Sequence, residues 1–144
     1  MKKIYLLSLL FLTFCSNVEE KSLNTVTVKQ FKEFINATGY ETDAERYGWS
    51  IVQLNVYDYK IVDGATWLRP DGDNLTIDSL PVTQVSYKDA VEYCKWAGVS
   101  LPTYEQYWKL VSSDERLIVS DNKYPISPVE EVNIIGNVWD ITES

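Results

Sequence analysis

Residues 81–108, PVTQVSYKDAVEYCKWAGVSLPTYEQYW, contain the local signals that decide the fold of this 144-residue chain. Ser86 and Asp89 match a capping pattern, in which a hydroxyl residue starts a helix and an acid or amide follows three residues later. Gly98 is a natural helix end, because glycine adopts the left-handed conformation there without steric cost. The first part of the segment therefore predicts a helix over residues 87–96.

The same capping pattern occurs elsewhere, and apolar residues follow each occurrence at helical spacing. The predicted helices cover residues 28–37, started by Thr27 with Gln30 and ended by Gly39, and residues 104–112, started by Thr103 with Gln106. We expect the inward faces to comprise Val28, Phe31, Phe34 and Ile35 in the first helix, Ala90, Val91, Cys94 and Ala97 in the second, and Tyr107, Trp108 and Val111 in the third.

Short candidate strands lie between these helices. Residues 50–56 are rich in Ile, Val and Leu, residues 57–62 alternate, and residues 117–119 form a third apolar run. Stretches rich in Gly, Asp, Asn and Pro separate them, such as residues 69–74. The pattern predicts one α+β domain with much irregular, loop-rich backbone.

Charge and composition exclude some functions. The chain has 21 acidic and 13 basic residues, whereas nucleic-acid binding needs clustered cations, so we expect no nucleic-acid partner. It contains no histidine, which removes the usual general base and the usual transition-metal ligand.

The N-terminus has the features of a secretion signal. Lys2 and Lys3 precede the apolar residues 4–14, a run too short to span a membrane but suitable for a signal peptide. Cys15 follows, and LTFC resembles a bacterial lipoprotein cleavage box, although Phe14 stands where a small residue is usual. The alternative is an ordinary signal peptide or a weak anchor with an incidental cysteine.

This pattern predicts three parts of the chain: a signal peptide over residues 1–15, a polar tether over residues 16–24, and a domain over residues 25–144. Acylation of Cys15 would attach two or more lipid chains, which is what stable membrane anchoring requires. The predicted location is therefore the bacterial cell envelope, on the periplasmic or cell-surface side.

Five sequence blocks together resemble the formylglycine-generating enzyme family, also called the sulfatase-modifying factor family. They follow the family's order and are residues 25–45 (TVTVKQFKEFINATGYETDAE), 64–72 (GATWLRPDG), 81–90 (PVTQVSYKDA), 92–108 (EYCKWAGVSLPTYEQYW) and 133–140 (NIIGNVWD). The resemblance implies the C-type-lectin-like architecture of that family. In the family the last block lies in mid-domain, so we expect the C-terminal part of the fold to be missing here.

The resemblance also implies a calcium site in the last block. Its ligands would be the side-chain amide of Asn133, the carbonyl groups of Gly136 and Val138, and the carboxylate of Asp140. Oxygen ligands of this kind suit Ca²⁺, a hard cation. Asp140 replaces the family's longer Glu. The alternative is that the asparagines of this block satisfy turn backbone.

The family's oxidase chemistry uses two cysteine thiolates that bind copper, on a segment that follows this block. These 144 residues contain two cysteines, Cys15 and Cys94. The resemblance implies that Cys94 matches a cysteine which, in the enzymes, pairs with a second cysteine located in that following segment. We therefore expect no catalytic residue, no copper and a structural role for Cys94, and we expect Trp67 and Arg69 to be structural.

Several carboxylates invite comparison with acid–base pairs, but nothing in their pattern distinguishes them from solvated loop charges. They are Glu41, Asp43, Glu45, Asp71 and Asp73.

Three interpretations of function remain. The first is a lipid-anchored, non-catalytic binding or structural module of the cell envelope. The second is a formylglycine-generating oxidase that acts only with a partner chain supplying the missing cysteines. The third is a truncated gene product. An incomplete domain would expose apolar surface, which predicts a covering protein partner or marginal stability.

Overall fold

The computed structural model describes residues 24–55, 58–112, 128 and 138–143. Within these residues the chain forms four α-helices and one two-stranded sheet. In chain order the elements are α1 (Val28–Thr38), α2 (Asp43–Tyr47), β1 (Trp49–Asn55), β2 (Asp58–Asp63), α3 (Tyr87–Ala97) and α4 (Tyr104–Val111). The predicted class of mixed helices and strands is thus confirmed.

Every described helix begins with a capping box, in which the first hydroxyl and the residue three positions later bond each other's backbone. Three of these starts, those of α1, α3 and α4, were predicted. The fourth, α2, was not predicted, although Thr42 and Glu45 have the same spacing. Gly39 and Gly98 end α1 and α3 in the left-handed conformation, as predicted.

The core is an aromatic cluster centred on Phe31 of α1. Its ring centroid lies 5.4 Å from that of Phe34, 5.5 Å from that of Trp67 and 5.8 Å from that of Tyr93. Val28 completes the buried set, so the predicted inward face of α1 is confirmed. Trp67 is buried in this cluster, which confirms the structural role predicted for it.

The prediction for the inward face of α3 was right in part. Cys94 and Ala97 are half-buried and pack against the core, as predicted. The buried residues of this helix, Asp89 and Tyr93, were not predicted, and Ala90 and Val91 are half-buried. The reason is that Tyr93 stacks on Phe31 and sets the rotation of α3, and Asp89 lies one turn earlier on the same side.

In α4, Val111 is buried and Tyr107 is half-buried, as predicted, but Trp108 is exposed. The prediction that Trp108 is packed inward was therefore wrong. Its ring makes edge contacts with Tyr104 and Tyr107 of its own helix, at 5.9 and 6.0 Å between centroids.

β1 and β2 form an antiparallel hairpin in which Trp49 pairs with Asp63, Ile51 with Ile61 and Gln53 with Tyr59. The two strands fall within two residues of the predicted segments. The Ser50 hydroxyl donates to Gln84 Oε1 at 2.7 Å, which ties one face of the hairpin to the segment before α3. The third predicted strand, residues 117–119, lies outside the described residues.

The turn after β2 depends on a glycine. Gly72 has φ 89°, and a Cβ at this position would lie 2.7 Å from the Asp63 carbonyl oxygen and 2.9 Å from Val62 Cγ1. A side chain is therefore excluded here, and the positive φ favours glycine. The backbone of the 64–72 loop passes close to the end of β2, and Trp67 of this loop enters the core.

Residues 138–143 return to the start of α4. The Glu143 N–H donates to the Pro102 carbonyl at 2.8 Å, and Glu143 forms an isolated parallel bridge with Thr103. Among the described residues, no helix has the length and apolar character needed to cross a bilayer.

Candidate functional site

A buried carboxylate links three parts of the fold. Asp89 is fully buried, and its Oδ1 accepts from the Tyr40 hydroxyl at 2.9 Å and from the Asp43 N–H at 3.1 Å. Its Oδ2 accepts from the Ser86 N–H at 2.8 Å, which is the cap of α3. We call Tyr40, Asp43, Ser86 and Asp89 the Asp89 network.

The other members of the Asp89 network are held in defined protonation states. The Ser86 hydroxyl donates to Asp43 Oδ2 at 2.6 Å, and this bond, together with the ion pair to Arg46, keeps the pKa of Asp43 below its usual value. Partial burial and the Asp89 carboxylate raise the pKa of Tyr40 to about 12. At neutral pH Tyr40 is therefore a hydrogen-bond donor and Asp43 an anion, which is an arrangement for joining elements rather than for proton transfer.

A second loop carboxylate, Glu45, also bonds to the protein. Glu45 accepts from the Thr42 N–H at 2.9 Å and from the Trp67 indole N–H at 3.2 Å. The prediction of solvated loop charges was therefore wrong for Asp43 and Glu45. The missed signal was the capping pair of α2, because a carboxylate at the third helical position bonds backwards to the cap.

Asp71 organises a loop by itself. Its carboxylate accepts from the Asp73 N–H at 2.9 Å, from the Asn74 N–H at 2.8 Å and from the Asn74 side-chain amide at 2.8 Å. These bonds lower the pKa of Asp71 to about 2. The geometry is that of a turn, since the acceptor serves its own following backbone.

Cys94 faces a cleft of about 240 Å³ between α3, the loop at residues 99–101 and Glu143. The side chain is half-buried, and it forms no disulfide with another described residue. Burial raises the pKa of the Cys94 thiol. The thiol is therefore mostly protonated at neutral pH, and thiolate is the form that acts as nucleophile or metal ligand.

Asp140 is the part of the predicted calcium site whose side chain can be described. Tyr107 of α4 donates a hydrogen bond to its Oδ2 at 3.1 Å. Burial raises the pKa of the Asp140 carboxyl, and the Tyr107 hydrogen bond opposes that increase. Burial and Asp140 together raise the pKa of Tyr107 to about 12.

The remaining predicted site residues are only partly described. Val138 lies two residues before Asp140 and is half-buried. Asn133, Gly136 and the lipidation residue Cys15 lie outside the described residues. The described residues contain no group of three or more Cys, Asp and Glu side chains suited to a metal ion.

The donor types of the predicted site suit Ca²⁺. A half-buried carboxylate has lost part of its hydration, and a hard divalent cation would compensate the charge that burial disfavours. Asp140 and the Val138 carbonyl would supply two of the oxygen ligands.

Trp139, next to Asp140, reaches the hairpin. Its indole N–H donates to Gln53 Oε1 at 2.8 Å, and the Gln53 side-chain amide is 3.4 Å from the Tyr59 hydroxyl. The Trp139 ring is nevertheless 74% exposed. The sequence identified Trp139 only as part of a family block, and its contact with β1 could not be seen there.

Comparison with known proteins extends these observations. The family model described as "Sulfatase-modifying factor enzyme 1-like domain" matches residues 22–116, which is most of the chain. The chain is 41% identical over 105 residues to a formylglycine-generating enzyme of Thermomonospora curvata, covering 60% of this chain and 34% of that protein. It is 30% identical over 172 aligned positions to the formylglycine-generating enzyme of Mus musculus, covering 81% of this chain and 46% of the relative.

A third relative has a different description. The chain is 38% identical over 100 residues to the inactive C-alpha-formylglycine-generating enzyme 2 of Mus musculus, covering 57% of this chain and 32% of that protein. The matched segment, which contains the aromatic core and the four described helices, defines a domain of the sulfatase-modifying factor type. The chain belongs to the formylglycine-generating enzyme, or sulfatase-modifying factor, family.

These relatives leave catalysis open. The chain spans less than half the length of each of the three relatives. Its sequence identity to the inactive protein, 38%, lies between its identities to the two enzymes, 30% and 41%.

Proposed function

We propose that this chain is a lipid-anchored, non-catalytic sulfatase-modifying-factor-like module that binds or supports another molecule at the bacterial cell envelope. Its domain would have the C-type-lectin-like architecture that the resemblance implies. Family membership supports the architecture, and the similarity to an inactive relative is compatible with a role other than oxidation.

The state of Cys94 is the observation that carries the non-catalytic part of the proposal. The oxidase chemistry implied by the family uses a pair of copper-binding thiolates. Cys94 is half-buried, its thiol pKa is raised, and the other cysteine of these 144 residues is Cys15 in the signal-like segment. One protonated thiol does not supply a two-thiolate site.

The direct test is a chemical assay. The 144-residue chain is incubated with a cysteine-containing sulfatase peptide, copper, reductant and oxygen, and the peptide is analysed by mass spectrometry. We expect the peptide cysteine to remain a thiol. Conversion of the thiol to an aldehyde, abolished by Cys94→Ala, would make the chain an oxidoreductase and overturn the proposal.

An alternative function is formylglycine generation together with a second polypeptide that supplies two cysteines. The similarity to several formylglycine-generating enzymes favours it. The same assay, repeated with a candidate partner chain, discriminates between the two functions: activity that appears only in the mixture supports the alternative.

The lipid anchor is supported by the apolar residues 4–14, by Cys15 after them and by the polar residues 16–24. We expect the wild-type chain to partition into the detergent phase when cells are fractionated, and Cys15→Ser to move to the aqueous phase. Equal partitioning of the two into the aqueous phase would contradict the anchor.

The calcium site proposed at Asn133, Gly136, Val138 and Asp140 would stabilise the module rather than react. Burial of the Asp140 carboxylate supports it, because a bound cation would offset the cost of that buried charge.

A further inference from the structure

One face of the hairpin carries apolar and aromatic side chains that remain exposed. Alternate residues of a strand share a face, and directly paired residues of two antiparallel strands do so too. The hairpin face, as we call it, consists of Trp49, Ile51 and Gln53 of β1 with Tyr59, Ile61 and Asp63 of β2. Ile51, Tyr59 and Ile61 are each more than half exposed.

Contacts restrict the rings on and beside the hairpin face. At one end, the Trp139 indole donates to the Gln53 amide, whose nitrogen lies 3.4 Å from the Tyr59 hydroxyl. At the other end the rings of Tyr47 and Trp49 lie 6.1 Å apart and 31° from parallel. Rings held in place lose little conformational freedom when a ligand covers them.

The hairpin face contains one acidic residue and no basic residue. Asp63 is that residue, and it is exposed opposite Trp49. The whole chain has a formal net charge of −8. Aromatic faces attract cations, and a carboxylate beside a ring adds to that attraction.

The size and charge of the hairpin face disfavour the other occupants. Three residue pairs cover on the order of 200 Å², whereas a stable dimer needs about 800 Å² from each partner. A second copy and an anionic membrane would both be repelled by the net negative charge. A neutral sugar carries no positive charge to complement Asp63 and the net negative charge of the chain, whereas a basic segment does.

We propose that the hairpin face binds a short basic polypeptide segment, with an arginine or lysine over the rings of Trp49 or Trp139 and a second cation beside Asp63. The inference rests on the proposed function as a binding module and names the class of its partner. Because an exposed cation–π contact contributes modestly, the affinity for one short segment is weak and depends on salt.

The test uses the full chain in mild detergent and an eight-residue peptide of alternating arginine and glycine. Nitrogen-15 NMR resolves the indole N–H groups of the five tryptophans. We expect the signals of Trp49 and Trp139 to shift saturably with the peptide and that of buried Trp67 to stay. The affinity falls as salt rises.

Variants locate the site. Trp139→Ala and Asp63→Asn are each expected to weaken peptide binding about two- to fivefold, the size of one exposed cation–π contact or surface ion pair. Trp108→Ala is the matched control, because it removes an exposed ring from α4, and it leaves binding unchanged. Circular dichroism verifies that each variant is folded.

The proposal is overturned if the peptide produces no saturable shift, if a glutamate–glycine peptide produces the same shift, or if Trp108→Ala weakens binding as much as Trp139→Ala. Binding of mixed micelles that contain anionic lipid, or of a neutral oligosaccharide, at these indoles, in place of the arginine peptide, overturns it as well. Failure of the non-catalytic proposal would appear separately, as aldehyde in the sulfatase peptide.

Discussion

The α1–α3 contact and the hairpin face both contain aromatic and apolar side chains, which are buried in the first region and exposed in the second. Around Phe31, aromatic rings from α1, α3 and the 64–72 loop exclude water. Asp89 of α3 is buried as well, and its carboxylate oxygens have hydrogen-bond partners. On the hairpin face, Trp49, Tyr59 and Ile61 remain exposed. The comparison shows that rings contribute to stability where they meet other elements, and remain open to contact with another molecule where they meet solvent.

The first prediction compares equivalent truncations in the two regions. Phe31→Ala leaves a cavity among packed rings and should lower the free energy of unfolding by about 3–5 kcal/mol. Ile61→Ala removes a side chain that is 60% exposed and should change it by no more than about 0.5 kcal/mol. Urea denaturation followed by circular dichroism measures both. Similar losses in the two variants would show that the hairpin face is also covered.

The second prediction concerns calcium at the last sequence block, in which Trp139 contacts the hairpin and Asp140 contacts α4. If Asn133, Gly136, Val138 and Asp140 bind Ca²⁺ in the folded chain, a hundredfold excess over Kd should stabilise it by about 2.7 kcal/mol. Asp140→Ala should remove most of this gain. Thermal melts with Ca²⁺ and with a chelator measure the difference. No shift at millimolar Ca²⁺, or the same shift in the variant, excludes this site.

The pH dependence of the calcium effect is the third prediction. Burial raises the folded-state pKa of Asp140 above 3.8. The cost of burying its charge is therefore present above the folded pKa and is relieved as pH falls through it. Protons compete with Ca²⁺ for this carboxylate, so the Ca²⁺-induced rise in melting temperature should begin to fall at a pH above 3.8. A calcium effect that stays undiminished as pH falls below 3.8 would contradict the role of Asp140.

The fourth prediction removes the carboxylate of the Asp89 network. Asp89→Ala leaves the Tyr40 hydroxyl and the Asp43 N–H without their acceptor and should cost about 2 kcal/mol of unfolding free energy. Asp78→Ala is the control, because Asp78 forms an exposed ion pair with Lys32 and should cost less than about 1 kcal/mol. Urea midpoints measure the two, and equal costs would show that the Asp89 network contributes no more than a surface ion pair.

The smallest expected effect is at Asp71. Its pKa is lowered to about 2, so its stabilising contribution is present above 3.8 and is lost as pH falls towards 2. Asp71→Asn should remove this charge-dependent contribution at neutral pH, a small loss because the side chain is exposed, and should flatten the pH dependence in that window. A series of urea midpoints over the same window checks this. An unchanged slope in the variant would assign the acid sensitivity to other carboxylates.

Local signals predicted the helix starts well. The capping pairs beginning at Thr27, Ser86 and Thr103 correctly placed α1, α3 and α4, since a cap depends on residues three apart in sequence. The pair at Thr42 carried the same signal and was missed within a short loop. Apolar periodicity identified the inner face of α1 for the same local reason.

What failed depended on partners distant in sequence. Periodicity cannot place Asp89 inside, because its burial is compensated by Tyr40 and Asp43, more than forty residues away. The contact between Trp139 and Gln53 spans 86 residues, and no local pattern indicates it. Of the predicted calcium ligands, the position of Asp140 beside Tyr107 likewise follows from tertiary contacts.

Because Asp89 bonds the starts of both α2 and α3, it should couple the local unfolding of the two helices. One carboxylate accepts the first N–H of α2 through Asp43 and the cap N–H of α3 through Ser86. Neither helix start can open without breaking a bond that the other depends on. In native-state hydrogen exchange, amides at the two starts should therefore share one opening free energy and respond together to denaturant, as a single cooperative unit does.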